Sequence, residues 1–353
     1  RRSLLPHLVT CFTGAANDNL FRQVIFVSLV ALAVQQLGEG SAADKRGELY
    51  VIFASIAFLV PFVLVAPLAG ALGDRLPRHL VLRTMRLIEV PLCVLGAIGF
   101  WMQSLPLMLT SLAGLAMQSA VVAPIKLAML PDLVPPSRMA HANAVLQAVT
   151  LVAIVGGTGL AFVADRDVLA LLPFPLAPGA AVMLLSVGMA VTGVFAAWRI
   201  PAMAAVAPET PLRFFNLFAA LRGLRSAPGL FAPALSLALF WGLGVAAQMM
   251  IVPTANQAYH AGQAITPLFQ LALVAGIVTG SLLAPRLATR AYPAGLPLLG
   301  ALIAACGLLI AGLVAHHGGD RWWFGIWLAI SGVGAGLWEV PLQVLVLERA
   351  PLE

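Results

Sequence analysis

Charge is scarce in this chain. Asp, Glu, Lys and Arg make up 10% of its 353 residues, against roughly 25% in ordinary soluble domains. Cysteine is scarcer: Cys11, Cys93 and Cys306 lie in three separate apolar stretches. That excludes a disulfide framework and metal-ligand spacing, and each cysteine reads as a small packing residue. His79, His141 and His260 fall in loops and His316-His317 forms a doublet. None has an acid or cysteine at ligand spacing, so they read as solvated and no metal is expected. The phosphate-cradling G-x-x-x-x-G-K-[ST] and the nucleophile elbow G-x-S-x-G are both missing, which argues against an enzyme and against a bound cofactor. The net charge of +6 comes from dispersed arginines rather than a basic surface patch, so nucleic acid is not an expected partner.

Apolar sequence is abundant, with 61% hydrophobic residues. Runs long enough to cross about 30 Å of hydrocarbon as helices recur near residues 5–34, 49–72, 80–102, 105–130, 141–164, 168–198, 229–255, 265–287, 294–315 and 322–346. They are longer than barrel strands and apolar on all sides, so the spans are helices. The expected fold class is all-α, a polytopic membrane protein with ten spans. Arg1, Arg2, Arg75, Arg78, Arg83, Arg86, Arg138, Arg199, Arg213, Arg222, Arg225, Arg286 and Arg290 fall on one set of alternating ends and loops. The other set holds Lys45, Arg46, Arg166 and Arg321. The positive-inside rule then predicts a cytoplasmic N-terminus. No cleavable signal peptide is expected, because the first apolar segment is too long and carries charge in its middle.

Residues 1–198 are expected to form a six-helix bundle, 199–228 a cytoplasmic linker and 229–353 a second bundle of four helices. Within the linker, Pro211–Leu224 reads as a basic amphipathic helix at the headgroup surface, with Leu212, Phe215, Leu217, Phe218 and Leu221 as its apolar positions. The second part echoes the first faintly: Phe12-Thr13-Gly14 opens the charged part of span one, and Phe240-Trp241-Gly242 stands at the matching depth of span seven. Two parts of six spans joined by a central linker predict two further spans beyond Glu353.

Polarity inside the spans is concentrated in Asn17-Asp18-Asn19-Leu20-Phe21-Arg22-Gln23. A charge at membrane depth costs roughly 2.5 to 3.5 kcal/mol on insertion scales and usually faces a bundle interior or a water-filled path. Asp18 and Arg22 are spaced i, i+4, so they can pair with each other or reach neighbouring helices. The alternative role is an internal clamp between helices. Glu89, Lys126 and Glu339 are the other charges at span depth. Together with Asp18 and Arg22 they form the candidate substrate-binding set.

The loop after span two reads Gly70-Ala71-Leu72-Gly73-Asp74-Arg75-Leu76-Pro77-Arg78-His79. It resembles the major facilitator loop signature G-x-L-A-D-R-x-G-R-x, with Pro77 where that family has glycine. The resemblance implies a gating role for Gly70, Asp74, Arg75 and Arg78, and Glu348 is a further gate candidate near the end of span ten. Asn17-Asp18-Asn19-Leu20-Phe21-Arg22, Arg86-Leu87-Ile88-Glu89, Gln118 with Pro124-Ile125-Lys126, Asn143-Ala144, Phe240-Trp241-Gly242 and Val340-Pro341-Leu342 resemble the lysophospholipid transporter family. The likeness includes relatives fused to a glycerophospholipid acyltransferase and an acyl-acyl-carrier-protein ligase. Gln147 and Gln248 stand where some members carry charge.

That resemblance implies a major facilitator fold with about ten of its twelve helices in this chain. It also implies a multi-pass protein of the bacterial cytoplasmic (inner) membrane that flips lysophosphatidylethanolamine-type lipids from the outer to the inner leaflet. Its partners would be the lysophospholipid, membrane lipid and an acyltransferase/ligase. The acyltransferase signature H-x-x-x-x-D is itself missing from the chain. A zwitterionic head needs an acid for its ammonium and a cation or donor for its phosphate, which Asp18 and Glu89, and Arg22 and Lys126, respectively offer. Two other readings stand beside this one: a major facilitator exporter of amphipathic drugs or small solutes, and a non-transporting membrane anchor for an acyltransferase or ligase.

Overall fold

A computed structural model describes residues 4–38, 40–135, 138–163, 178–209, 222, 224–225, 229–259, 262–287 and 295–349. The regular elements among them are helical. Ten long helices follow the expected spans in order: α1 (Leu5–Leu37), α2 (Ser41–Arg75), α3 (Arg78–Trp101), α4 (Leu105–Ala128), α5 (Met139–Val163), α6 (Pro178–Trp198), α7 (Phe231–Tyr259), α8 (Gly262–Leu287), α9 (Gly295–His316) and α10 (Arg321–Arg349). A single extra turn, Leu130–Leu133, follows α4. The expected amphipathic helix Pro211–Leu224 lies almost wholly outside the described residues.

Among the described residues, six helices contain stretches long and apolar enough to cross a membrane, namely Lys45–Val65, Leu105–Ala128, Phe231–Gln248, Leu268–Leu287, Gly295–His316 and Arg321–Val346. Shorter apolar stretches lie in α5 and α6, at Val145–Ala161 and Val182–Trp198. The two helices missing from both sets are α1 and α3, which carry Asp18 and Arg22, and Arg83, Arg86 and Glu89. The chain is a multi-pass membrane protein.

The helices divide into two compact units, Arg1–Asn216 and Leu217–Glu353. In the first, α1 is central. Leu20, Phe21, Ile25 and Leu29 are fully buried against Cys93 of α3, Leu112 of α4 and Met183 of α6. Close approach is set by missing side chains: a Cβ at Gly157 of α5 would collide with the carbonyl of Ala16 on α1. The turn from α1 to α2 needs Gly38, whose φ of 75° is unfavourable for L-residues with a Cβ and whose N–H closes the helix on Val34 O at 2.8 Å.

At one end of this unit the chain leaving α6 is strapped across its neighbours. Arg83 donates to three carbonyls at the α6 terminus, Ala197 O (3.2 Å), Trp198 O (3.1 Å) and Ile200 O (2.7 Å), which supplies acceptors that a helix end leaves open with a cation. Met203 N–H donates to His79 Nδ1 at 3.1 Å, and Ala207 N–H to Asp74 O at 2.9 Å. Ile200 and Met203 are buried among Val81, Leu82, Val121 and Ile125. His79 stands just before the apolar span of α3, and burial, with Arg83 beside it, holds its imidazole below the usual range. Nδ1 can accept only while unprotonated. The strap is therefore intact above the His79 pKa and is lost as pH falls through it, the sign expected when the neutral form is favoured by folding. In a Cys306→Ala background, which removes the exposed native thiol, a thiol placed by Met203→Cys should react with 4,4′-dithiodipyridine faster, relative to a freely exposed thiol at the same pH, as pH falls below the usual imidazole range, and at all pH values in Arg83→Ala; equal relative protection throughout would contradict the strap.

In the second unit α10 lies between α8 and α9. Gly332 and Gly336 face α8 at Leu273 O and Ile277 O, and Gly334 faces α9 at Gly300 O, with no room for a Cβ at any of them. This small-residue seam lets backbones approach closely. Phe240 stacks edge-on to Trp338 at 5.6 Å, and Trp338 Nε1 donates to Ser236 Oγ at 2.9 Å.

Candidate functional site

Polar residues one position apart on a helix point about 100° apart, so the run from Asn17 to Arg22 addresses several neighbours at once. Asn17 faces α3 and α6. Its Nδ2 donates to Glu89 Oε1 at 2.7 Å and to Cys93 Sγ at 3.3 Å, and its Oδ1 accepts from Ser186 Oγ at 2.6 Å. Cys93 is thus a hydrogen-bond acceptor as well as a packing residue. Asp18 faces α4, accepting from Ser119 Oγ at 2.6 Å through Oδ2. Asn19 folds back on Ala15 O at 2.7 Å and accepts from Arg22 Nη2 at 2.8 Å. The Arg22 guanidinium lies over the Phe58 ring of α2, 5.4 Å from its centroid, a favourable placement for a cation away from water.

Asp18 and Arg22 make no ion pair with each other among the described residues. The i, i+4 spacing permits one, but each has a nearer partner on its own side. Asp18 Oδ1 has no hydrogen-bond partner among the described residues, and the residue is half-buried.

The buried ion pair is instead Arg86 with Glu89, one turn apart on α3, Nη1 to Oε2 at 2.5 Å. Glu89 is fully buried and Arg86 is 3% exposed. The Arg86 guanidinium occupies the space that a Cβ at Gly14 would take, and its Cδ lies against Gly193 of α6. Its Nε is buried without a partner among the described residues. Sequence position places Arg86 with the loop arginines that set topology; the structure corrects this, since α3 begins at Arg78 and two turns carry Arg86 into the bundle. Both oxygens of Glu89 are occupied, one by Asn17 and one by Arg86. The echo in the other unit is not carried through: a Cβ at Gly242 meets nothing within 4 Å.

Lys126 lies farther along. Its carbonyl accepts from His7 Nε2 at 2.9 Å, so it stands level with the start of α1. Eleven residues separate His7 from Asp18, about 16 Å along the helix. The Lys126 ammonium has no hydrogen-bond or ion-pair partner among the described residues. His7, not singled out by the sequence, is fully buried, its Nδ1 has no partner, and its ring stands 3.7 Å from Cys11 Sγ. Of the charges expected as one site, Asp18, Arg22, Glu89 and Lys126 are thus spread along α1 within the first unit, and Glu339 belongs to the second.

In the loop after α2, Arg78 is the hub. It pairs with Asp74 at 3.5 Å and Asp132 at 3.4 Å, and donates to Gly73 O at 3.2 Å and Ala128 O at 2.6 Å. Arg75 is exposed and Gly70 has open space where a Cβ would stand. Asp132, in the short turn Leu130–Leu133, carried no sequence signal. Glu339 is half-buried on α10 and engaged rather than free. The Glu348 side chain lies outside the described residues. Among the described residues no group of three or more His, Cys, Asp or Glu is placed to hold a metal ion.

Comparison with known proteins adds the following. Residues 11–353 match the Major Facilitator Superfamily. The lysophospholipid transporter LplT of Photorhabdus laumondii subsp. laumondii is 26% identical over 361 aligned residues, covering 98% of this chain and 80% of that protein. LplT of Cronobacter sakazakii is 26% identical, covering 99% of this chain and 81% of that protein. Among solved structures, a bacterial homologue of the iron transporter ferroportin, outward-facing, superposes with a TM-score of 0.64 at 19% identity, covering 99% of this chain and 85% of that one. A bacterial homologue of the human lysosomal transporter Spinster, inward-facing and unoccupied, gives 0.63 at 15% identity, covering 96% and 74%. At these identities the structures show the fold alone.

Proposed function

Because this chain belongs to the Major Facilitator Superfamily, we propose that it is a transporter of lysophospholipid, chiefly of the lysophosphatidylethanolamine type, working by alternating access. It would carry the lipid from the outer to the inner leaflet of the bacterial cytoplasmic membrane, with its N-terminus in the cytoplasm as the arginine distribution implies. The relatives named as lysophospholipid transporters supply the cargo class. The observation that carries the reading is Asp18 Oδ1, a carboxylate oxygen at span depth without a partner among the described residues. A headgroup ammonium is a suitable donor for it, and Arg22, one turn away, can take the phosphate.

Lys126, seven residues beyond Ser119 on α4, or about 10 Å by helix rise, gives the phosphate a second cation farther along the path. Glu89 serves this site indirectly, holding Asn17 and Arg86 rather than touching lipid. The Asp74–Arg78–Asp132 group acts at the loop end as a gate element, together with Gly70 and Arg75. Glu339 and Glu348 are assigned to the second unit's share of the path and gate. Delivered lysolipid would pass to an acyltransferase/ligase partner for reacylation.

The test is leaflet transfer in proteoliposomes holding the full-length parent. Transfer of labelled lysophosphatidylethanolamine well above that of protein-free vesicles, with no matching flux of an amphipathic dye, supports the proposal. Dye flux without lipid transfer points to an exporter. Neither flux points to a membrane anchor.

A further inference from the structure

Ser119 has one hydroxyl proton and two acceptors within reach, Asp18 Oδ2 at 2.6 Å and Gln118 Oε1 at 3.1 Å. It can serve only one of them. The carboxylate wins, being charged and nearer. That would leave the Gln118 oxygen facing Ser119 lone pairs, while Gln118 Nε2 is buried without any partner. Gln118 is itself only 3% exposed, and a donor stranded at that depth is costly. Turning the amide by half a rotation about its last bond gives Ser119 Oγ a donor and places the Gln118 oxygen, rather than the nitrogen, in the position without a partner among the described residues. Oxygen and nitrogen exchange places at no steric cost, and the network decides between them. Nε2 then donates to Ser119 Oγ, and Ser119 donates to Asp18, in one direction of hydrogen bonding from α4 to α1.

We infer that Ser119 and Gln118 are positioning residues that fix the Asp18 carboxylate through Oδ2 and keep Oδ1 aimed at an ammonium group of the cargo. The inference rests on the proposed lipid-headgroup role of Asp18 and adds what sets its selectivity. A carboxylate held by one oxygen cannot swing to satisfy itself elsewhere. Its free oxygen therefore favours a ligand that brings N–H donors and offers nothing specific to a headgroup without them. The charged neighbours do not supply this restraint. Arg22 is turned to Asn19 and Phe58, and Arg86 is taken by Glu89 on α3. On α6 the group at this depth is Ser186, bonded to Asn17. From α5 the neighbour is Gly157, against the Ala16 carbonyl.

The test compares two lysolipids in the reconstituted parent, Ser119→Ala, Ser119→Thr and Gln118→Met: lysophosphatidylethanolamine, which carries an ammonium, and lysophosphatidylglycerol, which does not. Ser119→Ala should raise the half-saturating concentration of the ethanolamine lipid about tenfold, the scale of one charge-assisted hydrogen bond, and that of the glycerol lipid by no more than about twofold. Ser119→Thr, which keeps the hydroxyl, should restore the parent ratio. Gln118→Met keeps the Ser119 hydroxyl but removes its donor, and should move the ratio in the same direction by about threefold. It also serves as the reporter if Ser119→Ala does not fold. A change of equal size for both lipids, or no change in the ratio in either variant, overturns the inference. A parent that transfers neither lipid overturns the transporter reading itself, and the inference with it.

Discussion

Glu89→Ala lowers the stability of the first unit by about 3–5 kcal/mol, the cost of leaving one partner of a buried ion pair uncompensated. Glu89 is fully buried and accepts from both Arg86 and Asn17. Removing it strands the Arg86 guanidinium in the space opened by Gly14 and leaves the Asn17 amide without its main acceptor. The loss should appear as a large drop in the thermal unfolding midpoint of detergent-purified protein and as poor recovery from membranes. The double variant Arg86→Met/Glu89→Leu removes both charges together and should recover most of the stability, because an apolar pair of similar volume replaces the ion pair without a desolvation cost. A Glu89→Ala protein as stable as its parent would show that the pair is no clamp.

Asp18→Asn produces the opposite pattern: stability near that of the parent, and lipid transfer reduced by about 10- to 100-fold. The substitution keeps shape and leaves an amide oxygen for the Ser119 hydroxyl. It removes the charge that a headgroup ammonium meets, a contact worth about 1.5–3 kcal/mol for a hydrogen bond to a charged group. Glu89 bonds Asn17, the neighbour of Asp18 in the chain, yet the two carboxylates do different work, because one has both oxygens occupied and the other has one oxygen without a partner among the described residues. Thermal unfolding and initial transfer rates, measured on both variants, separate the roles: Glu89→Ala loses stability first, Asp18→Asn loses transfer alone.

How far these roles could be read in advance depended on where each partner lies in the chain. The helices were legible because long apolar runs have few other solutions in lipid. Asp18 and Arg22 stood out for the same reason, since charge at that depth is expensive. Their i, i+4 spacing leaves open a mutual pair or partners on neighbouring helices, and only the tertiary arrangement shows Ser119 and Asn19 as the nearer partners. Arg86 was misplaced among the loop arginines although its signal was present: it stands three residues from Glu89, on one face of one helix. Ser119 carries no signal, being one of three hydroxyl residues in an apolar helix, with Thr110 and Ser111, and 101 residues from Asp18. Asp132 was equally silent, 54 residues from Arg78. Local spacing can expose a pair within one helix, whereas a pair between helices needs the register of both.

The proposed headgroup site is Asp18 with the cations Arg22 and Lys126. Initial rates of leaflet transfer of labelled lysophosphatidylethanolamine, measured side by side in proteoliposomes for the full-length parent, Asp18→Asn and Lys126→Ala, test it most directly. A headgroup site at Asp18 gives transfer by the parent, a loss of about tenfold or more in Asp18→Asn as one charged hydrogen bond disappears, and a smaller loss in Lys126→Ala. Parent-like transfer by both variants, at matched protein incorporation, would contradict it.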